Sequence, residues 1–155
     1  MDMAVHHPYM DPNKVDTNYN NKLSGMTSAI VDAGGWKEQI ITEVGWSTYT
    51  GGGATEEQAA IELAKQIFVA DYHGIMTNMM YMGADQFWGG YDETHREHNF
   101  GVILDHELKI KPSAYTVKTA ADMTAGSIFF GKIPYSNDNI EAYAYLADGE
   151  ITVVM

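Results

Sequence analysis

Cysteine is absent from all 155 residues, which excludes a disulfide framework and any thiolate nucleophile or metal-thiolate site. Basic residues are scarce: nine Lys and Arg face twenty-one Asp and Glu, a formal net charge of -12. Such a field repels a phosphate backbone, so nucleic acid is not an expected partner, whereas an uncharged or cationic substrate suits it. No apolar run approaches the ~20 residues that cross a bilayer, so no membrane partner is expected either. Residues Met1 to Tyr9 contain no basic segment followed by an apolar one, so no secretory signal is visible there, and both a secreted and a cytoplasmic location stay open. Two familiar signatures are also lacking. The glycine run Gly51–Gly53 has no Gly-Lys-Ser/Thr after it and so is not a phosphate cradle. The charged stretch Asp92 to His98 lacks HExxH spacing and reads as a hydrated loop, so no metal site and no cofactor are expected.

What is present points to a folded, ring-bearing domain. Hydrophobic residues make up 45% of the chain, enough for a core, and fifteen glycines with ten tyrosines and three tryptophans suit loops that present aromatic rings. Met3 to His7 is a short apolar run stopped by Pro8, a brief buried strand. The polar, turn-forming residues 11 to 21 read as a loop. Leu23, Met26, Ile30 and Ala33 then recur at helical spacing until Gly34-Gly35 stops the helix. Residues 39 to 44, QIITEV, form a second strand, too short for a stable helix and flanked by Gly35 and Gly45.

Thr55-Glu-Glu-Gln58 is a capping box, and Ala60, Leu63, Ala64 and Ile67 mark one face of a helix to about Tyr72. A buried strand over 75 to 84 and a last helix from Pro112 to Met123 complete an alternation of strand and helix. That order predicts parallel strands with helices packed outside them. Residues 127–133, 140–146 and 151–155 are strand-like instead, with Asp148-Gly149 as a hairpin turn, and predict the first strands of an antiparallel sandwich.

Glu43 is the candidate for chemistry. It ends an apolar strand, the position where parallel barrels gather catalytic groups, and Gly45-Trp46 follows it. A plain surface glutamate at a strand end is the competing reading. Ile40-Ile-Thr-Glu-Val-Gly-Trp46 resembles the seventh-strand signature of the clan A (β/α)8-barrel retaining glycoside hydrolases, which include cellulases, xylosidases and β-galactosidases. Ala4-Val-His-His-Pro-Tyr9 resembles the sixth strand of that group and Met80 to Trp88 the eighth, while Glu97 to Ile103 and Lys111-Pro-Ser-Ala-Tyr115 resemble the closing loop and helix.

The resemblance spans about residues 2 to 123 in order. It implies the C-terminal portion of a TIM barrel, about strands 6 to 8 with their helices, over 1–124, followed by a truncated sandwich segment over 125–155. It also implies Glu43 as the nucleophile of a double displacement on β-glycosidic bonds of an oligo- or polysaccharide. His7 and Tyr9 would line the site, each with a core role as the alternative, and Trp46 and Trp88 would offer rings to a pyranose face, with core tryptophan the competing reading.

One element of the family pattern is missing. Clan A enzymes carry their acid/base in an Asn-Glu pair after the fourth strand, and no Asn-Glu occurs here. A barrel closes only when all its strands pair, so the N-terminal half is expected to be required from elsewhere and the chain alone to be inactive. A non-catalytic carbohydrate-binding or assembly module derived from a partial barrel is the alternative.

Overall fold

The computed structural model describes residues 3–10, 15–75, 77–85, 89–104, 107–135 and 140–155, with the side chains of 15–18 left aside. Strand β1 (Met3–His6), helix α1 (Val15–Asp32), strand β2 (Glu38–Val44), helix α2 (Glu56–Tyr72) and strand β3 (Thr77–Met80) follow in sequence. The three strands form one parallel sheet in the order β1-β2-β3, with Val5 opposite Ile40 and Ile40 opposite Thr77. Successive parallel strands joined by helices are what the strand–helix alternation of the sequence predicts.

One side of the sheet is covered by helices. Ile41 and Val44 are fully buried there with Leu23 of α1 and Leu63 and Val69 of α2 in one hydrophobic cluster. Burying each such side chain contributes roughly 1.5–3 kcal/mol. Polar pairs fix the helices over the strands: Gln39 Nε2 donates to Thr27 Oγ1 at 2.9 Å, and Gln66 Nε2 donates to Asn78 Oδ1 at 3.0 Å. On the opposite side, Met3, Val5 and Met79 stay exposed.

Helix α1 corrects the expected loop over 11 to 21, because residues 15–21 are its first turns and only 11–14 lie outside the described residues. Its asparagines are poor helix formers, but Tyr19 stands four residues before Leu23 and both are buried, so packing against the core outweighs propensity. The Gly34-Gly35 stop is as expected: Gly35 has φ 103° and its N–H donates to Val31 O at 2.9 Å.

The capping box of α2 is complete, with Gln58 N–H donating to Thr55 Oγ1 at 3.1 Å and Thr55 N–H to Gln58 Oε1 at 2.9 Å. Strand β3 is shorter than the expected 75 to 84. Met76 lies outside the described residues, the Tyr81–Met82 peptide is cis, and Ala84 makes only an isolated bridge to Ile103. Two antiparallel strands of two residues each, β4 (Ile103–Leu104) and β5 (Lys109–Ile110), precede α3 (Pro112–Thr124), which starts on the expected Pro112.

Strands β6 (Ile128–Ile133), β7 (Ala142–Ala147) and β8 (Glu150–Val154) form the antiparallel sheet predicted for the tail, turning at Asp148-Gly149 with positive φ at both residues. Its inner face packs on α2. Tyr143 stacks on Phe68 with ring centroids 6.2 Å apart, and Tyr145 OH donates to Asp71 Oδ2 at 2.6 Å.

Candidate active site

Alternation along β2 would send Glu43 to the helix side with Ile41, because neighbouring strand residues face opposite ways. A bulge prevents this. Ile41 pairs with Asn78 and Val44 with Met80, so three steps along β2 match two along β3. Ile41 and Val44 are both fully buried, while Thr42 and Glu43 both lie on the side of His7. A bulge re-aims a side chain at a local cost in pairing, and here it brings a carboxylate out of the core side of the sheet.

Two residues following β1 meet that carboxylate. Tyr9 OH donates to Glu43 Oε2 at 3.2 Å. Burial, then the nearby Glu43 charge and this hydrogen bond, push the Tyr9 phenol well above its ordinary range, so it stays protonated as a donor. His7 bridges the bulged pair: Nε2 lies 2.7 Å from Thr42 Oγ1 and Nδ1 lies 3.6 Å from Glu43 Oε2. Glu43 still exposes 41% of its side chain, enough to meet a ligand. Tyr9 is held edge-on between Tyr81 and Phe100, with centroids 6.3 Å and 5.7 Å away.

Gly45, directly after β2, has a structural reason. A Cβ there would sit 2.0 Å from Tyr81 O, so any larger residue forces β2 and the chain after β3 apart. Beyond it a cleft of about 380 Å³ opens, within the size range of small-molecule sites, lined among others by Tyr9, Trp46, Tyr49, Gly53, Arg96 and Phe100. Trp46 is only 6% exposed and belongs to the hydrophobic cluster, so it forms the cleft's wall from within the core. Its indole N–H has no hydrogen-bond partner among the described residues.

The two loops around the cleft are sewn together. Thr48 N–H donates to Asn99 O at 3.0 Å, Thr50 N–H to Glu93 O at 2.8 Å, and Ser47 Oγ to Arg96 O at 2.7 Å. Asn99 is buried and ties its own loop by donating to Asp92 O and His95 O while accepting from Tyr91 OH. Beneath them lies an ion pair that sequence reasoning missed. Lys111 and Asp85 are both buried with Nζ to carboxylate distances of 2.8 Å; Lys111 also donates to Thr48 Oγ1, and Gly101 N–H donates to Asp85 Oδ1. A Cβ on Gly101 would lie 2.1 Å from Asp85 N. Asp85 interrupts the apolar stretch from Met79 to Trp88, a sequence signal of a buried charge, whereas Lys111, close to Lys109 and His106, carries no such signal.

Of the expected site residues, the fold brings His7, Tyr9 and Glu43 into contact and sets Trp46 in the adjoining wall. Trp88, with Gln86 and Phe87, lies outside the described residues. In the charged stretch, the tilted rings of His95 and His98 lie with centroids 4.4 Å apart, and His98 Nδ1 accepts from Asp92 N–H at 3.2 Å. No group of three or more metal-ligating side chains occurs among the described residues.

No family model matches the sequence, and no curated protein matches it. Solved structures do match in fold. A family 39 glycoside hydrolase from the gut symbiont Bacteroides cellulosilyticus WH2 superposes with a TM-score of 0.71 at 19% identity, over 96% of this chain and 32% of that one. A family 17 β-1,3-glucanosyltransferase from Rhizomucor miehei gives 0.56 at 19% identity, over 73% of this chain and 42% of that one. A β-glucuronidase from Lactobacillus rhamnosus gives 0.54 at 18% identity, over 79% and 22%. The chain thus spans well under half the length of each. Its fold is a mixed α/β one that matches parts of glycoside hydrolase structures.

Proposed function

We propose that this chain carries the nucleophile half of a retaining glycoside hydrolase site of the clan A type, with Glu43 as nucleophile. The observation that carries the reading is the β2 bulge, which turns Glu43 toward Tyr9 and His7 beside an aromatic-walled cleft. In the reaction one Glu43 oxygen attacks the anomeric carbon of a β-glycoside as the bond to the leaving oxygen breaks. Water then attacks the same carbon, releasing the sugar and regenerating the carboxylate. The Tyr9 hydroxyl donates to Glu43 Oε2 and holds it in place. Trp88 would pack against the sugar, while Trp46, buried in the core, backs the wall of the cleft.

The proton for the leaving oxygen must come from a second carboxyl group ~5–5.5 Å from the first. The Asn-Glu pair that carries it in the group resembled is absent from these residues, so we assign that role to barrel strands outside this chain. On this reading 1–124 is a partial (β/α)8 barrel, about strands 6 to 8, and 125–155 the start of a β-sandwich. The substrate is an oligo- or polysaccharide. A non-catalytic carbohydrate-binding role is the second reading, favoured by the same missing pair.

Titration of the chain with a neutral aryl β-glycoside, followed by amide and indole NMR shifts, tests the common ground of both. Shifts are expected at Glu43, Tyr9 and the Trp46 indole. Shifts confined to β6–β8, or none at all, would remove carbohydrate from the account.

A further inference from the structure

In a chain of net charge -12, the charged side chain that lines the 380 Å³ cleft among the described residues is a cation, Arg96. Arg96 lies in the short 3-10 turn Arg96–Asn99. Its guanidinium carbon stands 5.6 Å from the centroid of the Phe100 ring. Phe100 in turn contacts Tyr9 at 5.7 Å, and Tyr9 holds Glu43. The guanidinium and the two rings therefore follow one another along the cleft, and the Tyr9 hydroxyl reaches Glu43 beside it.

Glu93 and Glu97 lie within three residues of Arg96, yet among the described residues no carboxylate pairs with it. Packing on a ring face fixes the plane of a guanidinium and leaves its edge to present paired donors, an arrangement that matches a carboxylate bidentately. The loop is pinned by the Ser47 and Asn99 hydrogen bonds, so the fork is held in place before a ligand arrives.

We propose that Arg96 is a specificity-determining residue that reads the carboxylate of a uronic acid sugar bound in this cleft. The inference rests on the carbohydrate reading above and narrows its substrate class. The distant acidic surface does not oppose it, because exposed charges are screened beyond ~8 Å at physiological salt, and the contact at the exposed Arg96 is itself screened in part as salt is added.

The test is quenching of tryptophan fluorescence in the whole chain, at low protein concentration, by three ligands: p-nitrophenyl β-glucuronide, p-nitrophenyl β-glucoside, and the 6-sulfated glucoside. The glucuronide is expected to bind about 10- to 100-fold more tightly than the glucoside, the worth of one charge-assisted pair. That advantage should vanish in Arg96→Gln, survive in part in Arg96→Lys, and weaken with added salt. Arg96 is exposed and packs on the Phe100 ring, so its replacement leaves the fold intact, which the thermal unfolding of the variants checks. Equal binding of glucuronide and glucoside, or an advantage that persists in Arg96→Gln, overturns the inference and leaves the carbohydrate reading standing. Equally tight binding of the sulfated glucoside overturns the carboxylate assignment in favour of a general anion site. Binding of none of the three ligands overturns the inference and the carbohydrate reading together.

Discussion

The residues around Glu43 divide into those that touch it and those that hold its surroundings. Tyr9 and His7 belong to the first kind. Lys111 and Asp85 belong to the second, joining the chain after β3 and the start of α3 to the loop that carries Thr48. A buried pair contributes little over a hydrophobic replacement, but removing one partner strands the other charge. Lys111→Met should therefore lose about 3–5 kcal/mol by urea unfolding, and the double variant with Asp85→Leu should recover a part of it. Full stability in Lys111→Met would show that Asp85 is satisfied without it.

Titration adds a second expectation at the level of single elements. His73 ends α2 with Nε2 2.6 Å from Asn20 Oδ1, and burial holds its imidazole below the ordinary 6.5. The unfolded chain therefore binds more protons as pH drops through 6.5, and stability falls on acidification. Asp71, raised by burial against the pull of the Tyr145 hydroxyl, acts in the opposite sense, so the readout is a difference between variants. Between about pH 7.5 and about pH 5.5 the melting temperature of the parent should drop more than that of His73→Gln. Equal drops would take His73 out of the acid sensitivity.

The same elements separate what sequence reveals from what it hides. Capping boxes, glycine stops and apolar periodicity are local signals, and α2, α3, β2 and the tail hairpin follow them. The start of α1 was hidden because its stabilisation is tertiary: Tyr19 and Leu23 reach a core made by other elements. The β2 bulge was hidden too, since nothing in Ile41-Thr-Glu-Val44 marks an extra residue against a partner strand distant in sequence. The motif located Glu43, but only pairing explains why it turns toward Tyr9 and His7. Arg96 likewise sits in a run of charges whose pattern reads as solvated loop.

At the scale of the whole molecule, apolar surface remains uncovered on the β1–β3 sheet and on the β6–β8 sheet. Met3, Val5 and Met79 stand exposed on the sheet side opposite the helices, and Ile128, Phe130 and Ile151 stand more than half exposed on β6 and β8. Exposed apolar faces and free strand edges pair with other chains. The isolated chain should elute from a sizing column as self-associated species and show no turnover of an unactivated aryl β-glycoside. A monodisperse monomer that turns the glycoside over would contradict the assignment of the missing acid to other strands, and a monomer that binds sugar without turnover would favour the binding module.

The central claim is that Glu43 is a nucleophile, and covalent trapping tests it most directly. A 2-deoxy-2-fluoro β-glycoside with a dinitrophenolate leaving group needs no acid to expel it, so even a site lacking the acid/base partner is open to labelling. The account predicts one glycosyl adduct by mass spectrometry, on the tryptic peptide spanning residues 38–65 and localised to Glu43, and none in Glu43→Gln. An adduct on another carboxylate, an equal adduct in Glu43→Gln, or no adduct at saturating reagent would contradict it.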